Sequence, residues 1–210
     1  MPASLMAPLL PGLFVVLWST GFIGAKLGLP FCPPATFLAV RFLITALLIT
    51  AAATAMRAPW PRDRRMIAHL AMAGFLINTV YLGGVYAAIA VGIGAGTSAL
   101  VVSLQPVIVA ALAGPLFGER VRPRQWLGLV LGLAGCALVV WPKLGGSEGS
   151  AAGLAFCVVG LAGITAGTLY QKRYCVGVDL RTGNTVQFWS AAITTAVPAL
   201  LLEAPRRISR

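Results

Sequence analysis

Acidic side chains are scarce in this 210-residue sequence, where Asp63, Glu119, Glu148, Asp179 and Glu203 are the full set. The first four fall between apolar runs and Glu203 ends one, so no carboxylate is available in mid-run for proton coupling. Histidine occurs once, as His69, around which no nucleophile–His–acid set can form. His69 opens an apolar run, which gives it an interfacial place and no special role. The four cysteines (Cys32, Cys136, Cys157 and Cys175) include no CxxC pair and read as small packing residues, not as a disulfide or metal framework. No glycine-rich loop ending in Lys-Ser or Lys-Thr is present, which disfavours ATP-driven chemistry. The first charged side chain is Lys26, so the basic start of a secretory signal is missing and the first run is expected to stay in the protein. These absences predict no catalytic residue, no cofactor and no metal: the chain does not read as an enzyme.

Charge as a whole is thin, with 16 Lys and Arg and 5 acids against 59% hydrophobic residues. A soluble domain carries roughly a quarter charged residues, so this is a membrane composition. The net charge of +11 does not point to nucleic acid, because the cations cluster in short connections between apolar runs.

What is present is a series of apolar runs, each long enough to cross ~30 Å of hydrocarbon. Seven are expected, at about 7–29, 36–56, 68–91, 96–117, 125–141, 151–171 and 183–203. Three connections (57–67, 118–124 and 172–182) hold ten cations between them, whereas the alternate ones hold Lys143 alone. The bias predicts a cytoplasmic N-terminus, with the basic connections on the same side. Seven crossings would leave Arg206, Arg207 and Arg210 outside, so either the last run does not cross or a longer chain continues. Trp60, Trp126 and Trp141 stand at run boundaries as interfacial anchors, while Trp18 and Trp189 fall within runs.

The run Gly94–Gln125 has Pro106 near its middle, with Ser103 and Gln105 beside it. A mid-helix proline donates no hydrogen bond and frees the carbonyl four residues back, here Val102. In lipid that is tolerated where protein or a wet cavity receives the carbonyl. The chain is also weakly self-similar at an offset of 146 residues. Trp18-Ser19-Thr20-Gly21 falls on Ile164-Thr165-Ala166-Gly167, Lys26 on Lys172, and Val40-Arg41-Phe42 on Val186-Gln187-Phe188. Five runs separate the copies, an odd number, which implies an inverted repeat of the kind found in many secondary transporters.

LWSTGFIGAKLGL in the first run, Pro34 to Phe42 (P-x(6)-RF) in the second, SALVVSLQPVIVAALA in the fourth and GERVRPRQWLGLVLGLAG leading into the fifth together resemble the EamA-type transporters of the drug/metabolite transporter superfamily. The resemblance implies an all-α bundle of inverted five-helix repeats. Residues 7–141 would be a complete first repeat, 151–203 a partial second and 204–210 a tail. It implies a bacterial inner-membrane transporter of small metabolites, such as amino acids or related amphipathic solutes, working outward by alternating access. Its partners would be the lipid bilayer and a small-molecule substrate. A homodimer or a partner chain would supply the three helices by which the family pattern is longer. The alternative is a truncated, non-transporting membrane protein or a subunit of a larger transporter.

The candidate substrate-path residues are Trp18, Lys26, Arg41, Asn78, Tyr81, Ser103, Gln105 and Pro106. Lys26 and Arg41 are cations inside runs, within about 8 Å of a run's end at ~1.5 Å per residue. They either snorkel to headgroups or bind an anionic group such as a carboxylate. Trp18, Asn78, Tyr81, Ser103 and Gln105 either bond between helices or line a cavity, with Asn78 and Tyr81 on one helix face. Gly83 and Gly84, Gly92 to Gly96, and Gly128, Gly132 and Gly135 are expected at close helix contacts. Glu119 is expected to pair with Arg120, Arg122 or Arg124 at a turn that could gate the inner end.

Overall fold

The computed structural model describes residues 9–118, 122–140 and 151–203. They form seven helices and, among the described residues, no strand. In chain order these are α1 (Leu9–Gly28), α2 (Pro34–Ala55), α3 (Arg64–Ala90), α4 (Ala95–Phe117), α5 (Pro123–Val140), α6 (Ala151–Tyr174) and α7 (Leu180–Glu203). Among the described residues, α2, α3, α4, α6 and α7 are long and apolar enough to cross a membrane. The chain is an all-α, multi-pass membrane bundle. The proposed Glu119 turn, Trp141 and Lys143 lie outside the described residues.

The helices follow the apolar runs, except that α3 and α7 start several residues earlier than hydropathy places them. The reason is capping. Asp63 accepts the Arg65 amide at 3.0 Å and Asp179 accepts the Arg181 amide at 2.9 Å, each satisfying a donor that the first turn leaves unpaired. Hydropathy finds the hydrocarbon crossing, whereas the cap finds the helix start.

Two helices are irregular in their middles. Phe75–Val80 of α3 is a π-helical turn. The fourth helix breaks between Val102 and Gln105 and resumes with Pro106 in the first turn of its second piece, as the sequence predicts. There the missing proline N–H costs little, because a first-turn donor has no partner within the helix. At the far end, Gly118 adopts φ 68° and closes α4 with a bond to the Gly114 carbonyl, a left-handed turn suited to glycine.

Helices α2 and α7 pack antiparallel and are bonded at one end and midway, with a further bond to the connection that follows α2. Glu203 in the last turn of α7 accepts the Ala35 and Thr36 amides at 2.8 and 2.7 Å and the Thr36 hydroxyl at 2.7 Å, capping α2 from a distant point in the chain. At the opposite end the Thr182 hydroxyl donates to the Pro59 carbonyl at 2.9 Å. Between them Trp189 donates its indole N–H to Thr50 at 3.1 Å, which accounts for a tryptophan inside a run. Helix α7 therefore runs the full length of the bundle. Contacts at the end away from Glu203 include Thr182 with Pro59 and Lys172 over the Phe117 ring.

Close approach of backbones occurs between α3 and α6. A Cβ at Gly84 would lie 2.6 Å from the Phe156 oxygen, one at Gly163 2.7 Å from Val80 Cγ1, and one at Gly167 2.5 Å from Ile77 Cγ1. Gly83, Gly128, Gly132 and Gly135 have no described atom within 4 Å of such a Cβ, so the expectation of close contact fails there. The spacing in α5 is right, but α5 packs at the edge of the described bundle. The tight row lies instead in α6.

Candidate functional site

The α6 glycine row presses onto Leu76 to Val85 of α3, the stretch that includes part of the π turn, Asn78 and Tyr81. That contact sets the position of the wall between two cavities, and the sequence-predicted residues divide between them.

The larger cavity, ≈ 1000 Å³, lies among α1, α3, α4 and α6. Lys26 lines it from α1, and Ser103, Gln105 and Pro106 line it at the break in α4. Val102, whose carbonyl the proline was expected to free, lines it too. Ala95, Ala99, Val102, Ser103 and Pro106 follow one another at helical spacing on the face of α4 that lines the cavity, and the break falls within that face. Gln105 donates its amide to the Thr168 hydroxyl of α6 at 3.2 Å, so this side chain both bonds between helices and lines the cavity. Thr168 and Gln171 of α6 complete the polar wall and are not singled out by sequence reasoning. Their one signal is that they follow Gly167 on the same face as Ile164.

The smaller cavity, ≈ 320 Å³, lies among α1, α2, α3 and α7. Arg41, Asn78 and Tyr81 line it, with Phe22, Phe42, Phe188 and Tyr86 around them. Arg41 points inward: its Nη1 donates to the Tyr86 hydroxyl at 2.7 Å, and Tyr86 is 1% exposed. Arg41 is itself exposed, so this bond directs the guanidinium toward Tyr86 without burying it. Asn78 and Tyr81 are also buried, and both face this cavity as their three-residue spacing predicts. Tyr86, which anchors the arginine, reads in the sequence as one more aromatic of an apolar run; the need of a cation within an apolar run for a polar partner is the signal that could have found it. Phe22 and Ile77 line both cavities and form the partition.

Lys26 and Arg41 are thus in separate chambers, and the single path the sequence suggests is two spaces. The side chain of Trp18 lies outside the described residues. His69 is a correction to its expected lack of role. Its Nδ1 lies 2.7 Å from the Tyr170 hydroxyl and its ring stacks on Tyr174 with centroids 4.9 Å apart, clamping α3 to α6 near the basic connections.

The described carboxylates serve helix ends: Asp63 caps α3, Asp179 caps α7 and Glu203 caps α2. None of the three lines either cavity.

The family model for the EamA-like transporter family matches residues 6–141. Among curated proteins, the chain is 24% identical over 198 residues to "Uncharacterized inner membrane transporter YedA" of Escherichia coli K12, covering 93% of this chain and 63% of that protein. It is 24% identical over 201 residues to "Probable amino-acid metabolite efflux pump" of Salmonella typhimurium LT2, covering 94% of this chain and 65% of that one. "Uncharacterized transporter YvbV" of Bacillus subtilis 168 is 24% identical over 201 residues, with 92% and 60% covered. The chain spans under two thirds of the length of these relatives. No solved structure matches.

Proposed function

The chain belongs to the EamA-like transporter family, and from that premise we propose that it moves small carboxylate-bearing metabolites, amino acids among them, outward across a bacterial inner membrane. The observation that carries this reading is the ≈ 1000 Å³ chamber, where Lys26 faces a polar wall built at the broken middle of α4. A lysine ammonium set within an apolar run attracts a carboxylate. Ser103, Gln105, Thr168 and Gln171 supply hydrogen bonds for the remaining polar atoms of the solute. The printed name of the Salmonella relative, an amino-acid metabolite efflux pump, supports the solute class and the direction. The N-terminus and the basic connections face the cytoplasm in this reading, in accord with their ten-to-one excess of cations.

Alternating access comes from two inverted units, 7–141 and 151–203. Helix ends support the repeat: Gly28 and Tyr174 are 146 residues apart, as are Pro34 and Leu180, so both connections contain five residues. Phe42 and Phe188, again 146 apart, meet with ring centroids at 6.1 Å, where a two-fold axis between antiparallel α2 and α7 would bring equivalent residues together.

With the described acids engaged at helix ends, the solute's own gradient drives the flux. The test is flux of an amino acid in proteoliposomes containing the 210-residue chain. Lys26→Gln should lower it about tenfold, the equivalent of ~1.4 kcal/mol. Equal flux in the variant, or uphill accumulation driven by an imposed proton gradient, would refute the respective part of the reading.

A further inference from the structure

We propose that the Arg41 cavity is a second binding site, separate from the Lys26 chamber, for a small carboxylate with an aromatic or apolar body. The reading goes beyond transport and does not rest on it. Arg41 is a permanent cation set within an apolar helix, and among the described residues it makes no ion pair. Its described partner is the neutral Tyr86 hydroxyl, which takes one of the five N–H donors of a guanidinium and none of its charge. A planar carboxylate answers both needs, because it carries the opposite charge and matches the fork with two parallel bonds.

Asn78 points to a ligand independently. The residue as a whole is 8% exposed, lines the cavity and makes no side-chain hydrogen bond among the described residues. The amide is accessible from the cavity and offers both a donor and an acceptor to a group that enters it. The rest of the wall is apolar: the rings of Phe22, Phe42 and Phe188 with Leu82 and Val85. An inorganic anion or a fully polar acid would leave these faces wet, whereas an aromatic body covers them. The volume of ≈ 320 Å³ corresponds to about ten waters at ~30 Å³ each, which suits a solute of the size of benzoate. Phe22 and Ile77 stand between this space and Lys26, so the two cations do not share one carboxylate.

The experiment is equilibrium titration of the full 210-residue chain in nanodiscs with 4-fluorobenzoate, read by fluorine NMR, with 4-fluorobenzamide as the neutral isostere. Saturable binding of the acid is expected, with the amide at least tenfold weaker. Arg41→Gln should weaken the acid at least tenfold and Asn78→Leu severalfold, while Lys26→Gln leaves its affinity unchanged. Where Arg41→Gln fails to fold, Arg41→Lys, which keeps the charge and loses the fork, and Tyr86→Phe, which keeps the ring and loses the anchor, should each weaken binding. No saturable binding at millimolar acid, equal affinity for acid and amide, retained affinity in the folded Arg41 variants, or loss in Lys26→Gln would each overturn the proposal. Because the readout involves no flux, its failure leaves the transport reading standing, and failed transport leaves this site standing.

Discussion

The Lys26 chamber and the Arg41 pocket share Phe22 and Ile77 as walls, yet they are built differently. The chamber is bounded by a helix that breaks at Ser103, where the backbone has already given up regular hydrogen bonding around Pro106. The pocket is bounded by α2 and α7, which are bonded at one end and midway, with a further bond from α7 to the connection that follows α2, and its cation is tethered to a buried tyrosine. The chamber's irregular backbone is in α4; the pocket has one wall held by α2 and α7 and another, at Ile77 and Asn78, on the π turn of α3. The comparison explains why two cations so close in sequence need not serve one ligand.

The common wall offers the most damaging way to break that comparison. Gly163 has Val80 Cγ1 and the Tyr81 amide within 3.0 Å of where a Cβ would stand, so Gly163→Leu must push α6 off α3 and deform both cavities at once. Overpacking of this kind costs about 1–3 kcal/mol, or a fall of roughly 2–12 °C in the midpoint of thermal unfolding for a chain of this size. Gly132→Leu, with no described atom near its Cβ, should leave the midpoint within about 1 °C, as surface changes usually do. Melting in detergent checks both, and equal midpoints would show that the glycine row does not hold the partition.

A change confined to the chamber comes next. Pro106→Ala restores a backbone donor at the break in α4 and should regularise the helix, tying up the Val102 carbonyl at the chamber wall. Amino-acid flux in proteoliposomes should fall about tenfold, ~1.4 kcal/mol in the barrier, with protein level and 4-fluorobenzoate affinity unchanged. Undiminished flux would reduce the proline to a harmless kink.

The partition itself can be opened more gently. Phe22→Ala removes a ring that lines both spaces and should join them. The expected result is that 4-fluorobenzoate, without effect on amino-acid flux through the parent chain, becomes an inhibitor of the variant, with its own affinity lowered about threefold by the lost ring contact, ~0.6 kcal/mol. Flux that is equally sensitive in both proteins would mean that the two cavities were one from the start.

How much of this was legible in the sequence differs between fold and site. The helices could be placed because each apolar run is about as long as the hydrocarbon is thick, a length constraint that no tertiary contact overrides. Starts were less legible, since Asp63 and Asp179 extend α3 and α7 beyond their apolar residues. The spacing argument that selects Gly128, Gly132 and Gly135 applies equally to Gly160, Gly163 and Gly167, and what packs against each helix decides between them. Residue type alone draws attention to Lys26, Arg41, Asn78 and Gln105 because polar groups are costly in lipid. Their division between two cavities depends on how each helix is rotated about its axis. Tyr86 was hidden for a related reason: the phenol that anchors Arg41 sits in an apolar run whose aromatic residues look interchangeable.

The smallest expected effect lies outside both cavities, at the cap of the helix that walls the pocket. Arg181 donates to Asp179 at 3.0 and 2.8 Å, and this bonding, with the Arg181 amide and its charge, holds the Asp179 carboxyl at about 2, below its ordinary 3.8. A carboxyl depressed in the folded state binds its proton more readily when unfolded, so it contributes stability above the ordinary value and loses that contribution as the pH falls toward the folded one. The window is therefore between about pH 4 and pH 2. Asp179 is solvent-facing, so the effect is expected to be small. It should appear as a slightly steeper loss of thermal midpoint in the parent than in Asp179→Asn when the pH is lowered through that window. The asparagine variant keeps a capping oxygen for the Arg181 amide, so the two proteins differ mainly in the charge. Binding of 4-fluorobenzoate at pH 6 should be the same in both, because the cap lies at the end of α7 and Phe188 of the pocket lies two turns further along. Parallel pH profiles would show that the pair adds nothing, and a loss of probe affinity at pH 6 would show that the pocket depends on the helix end after all.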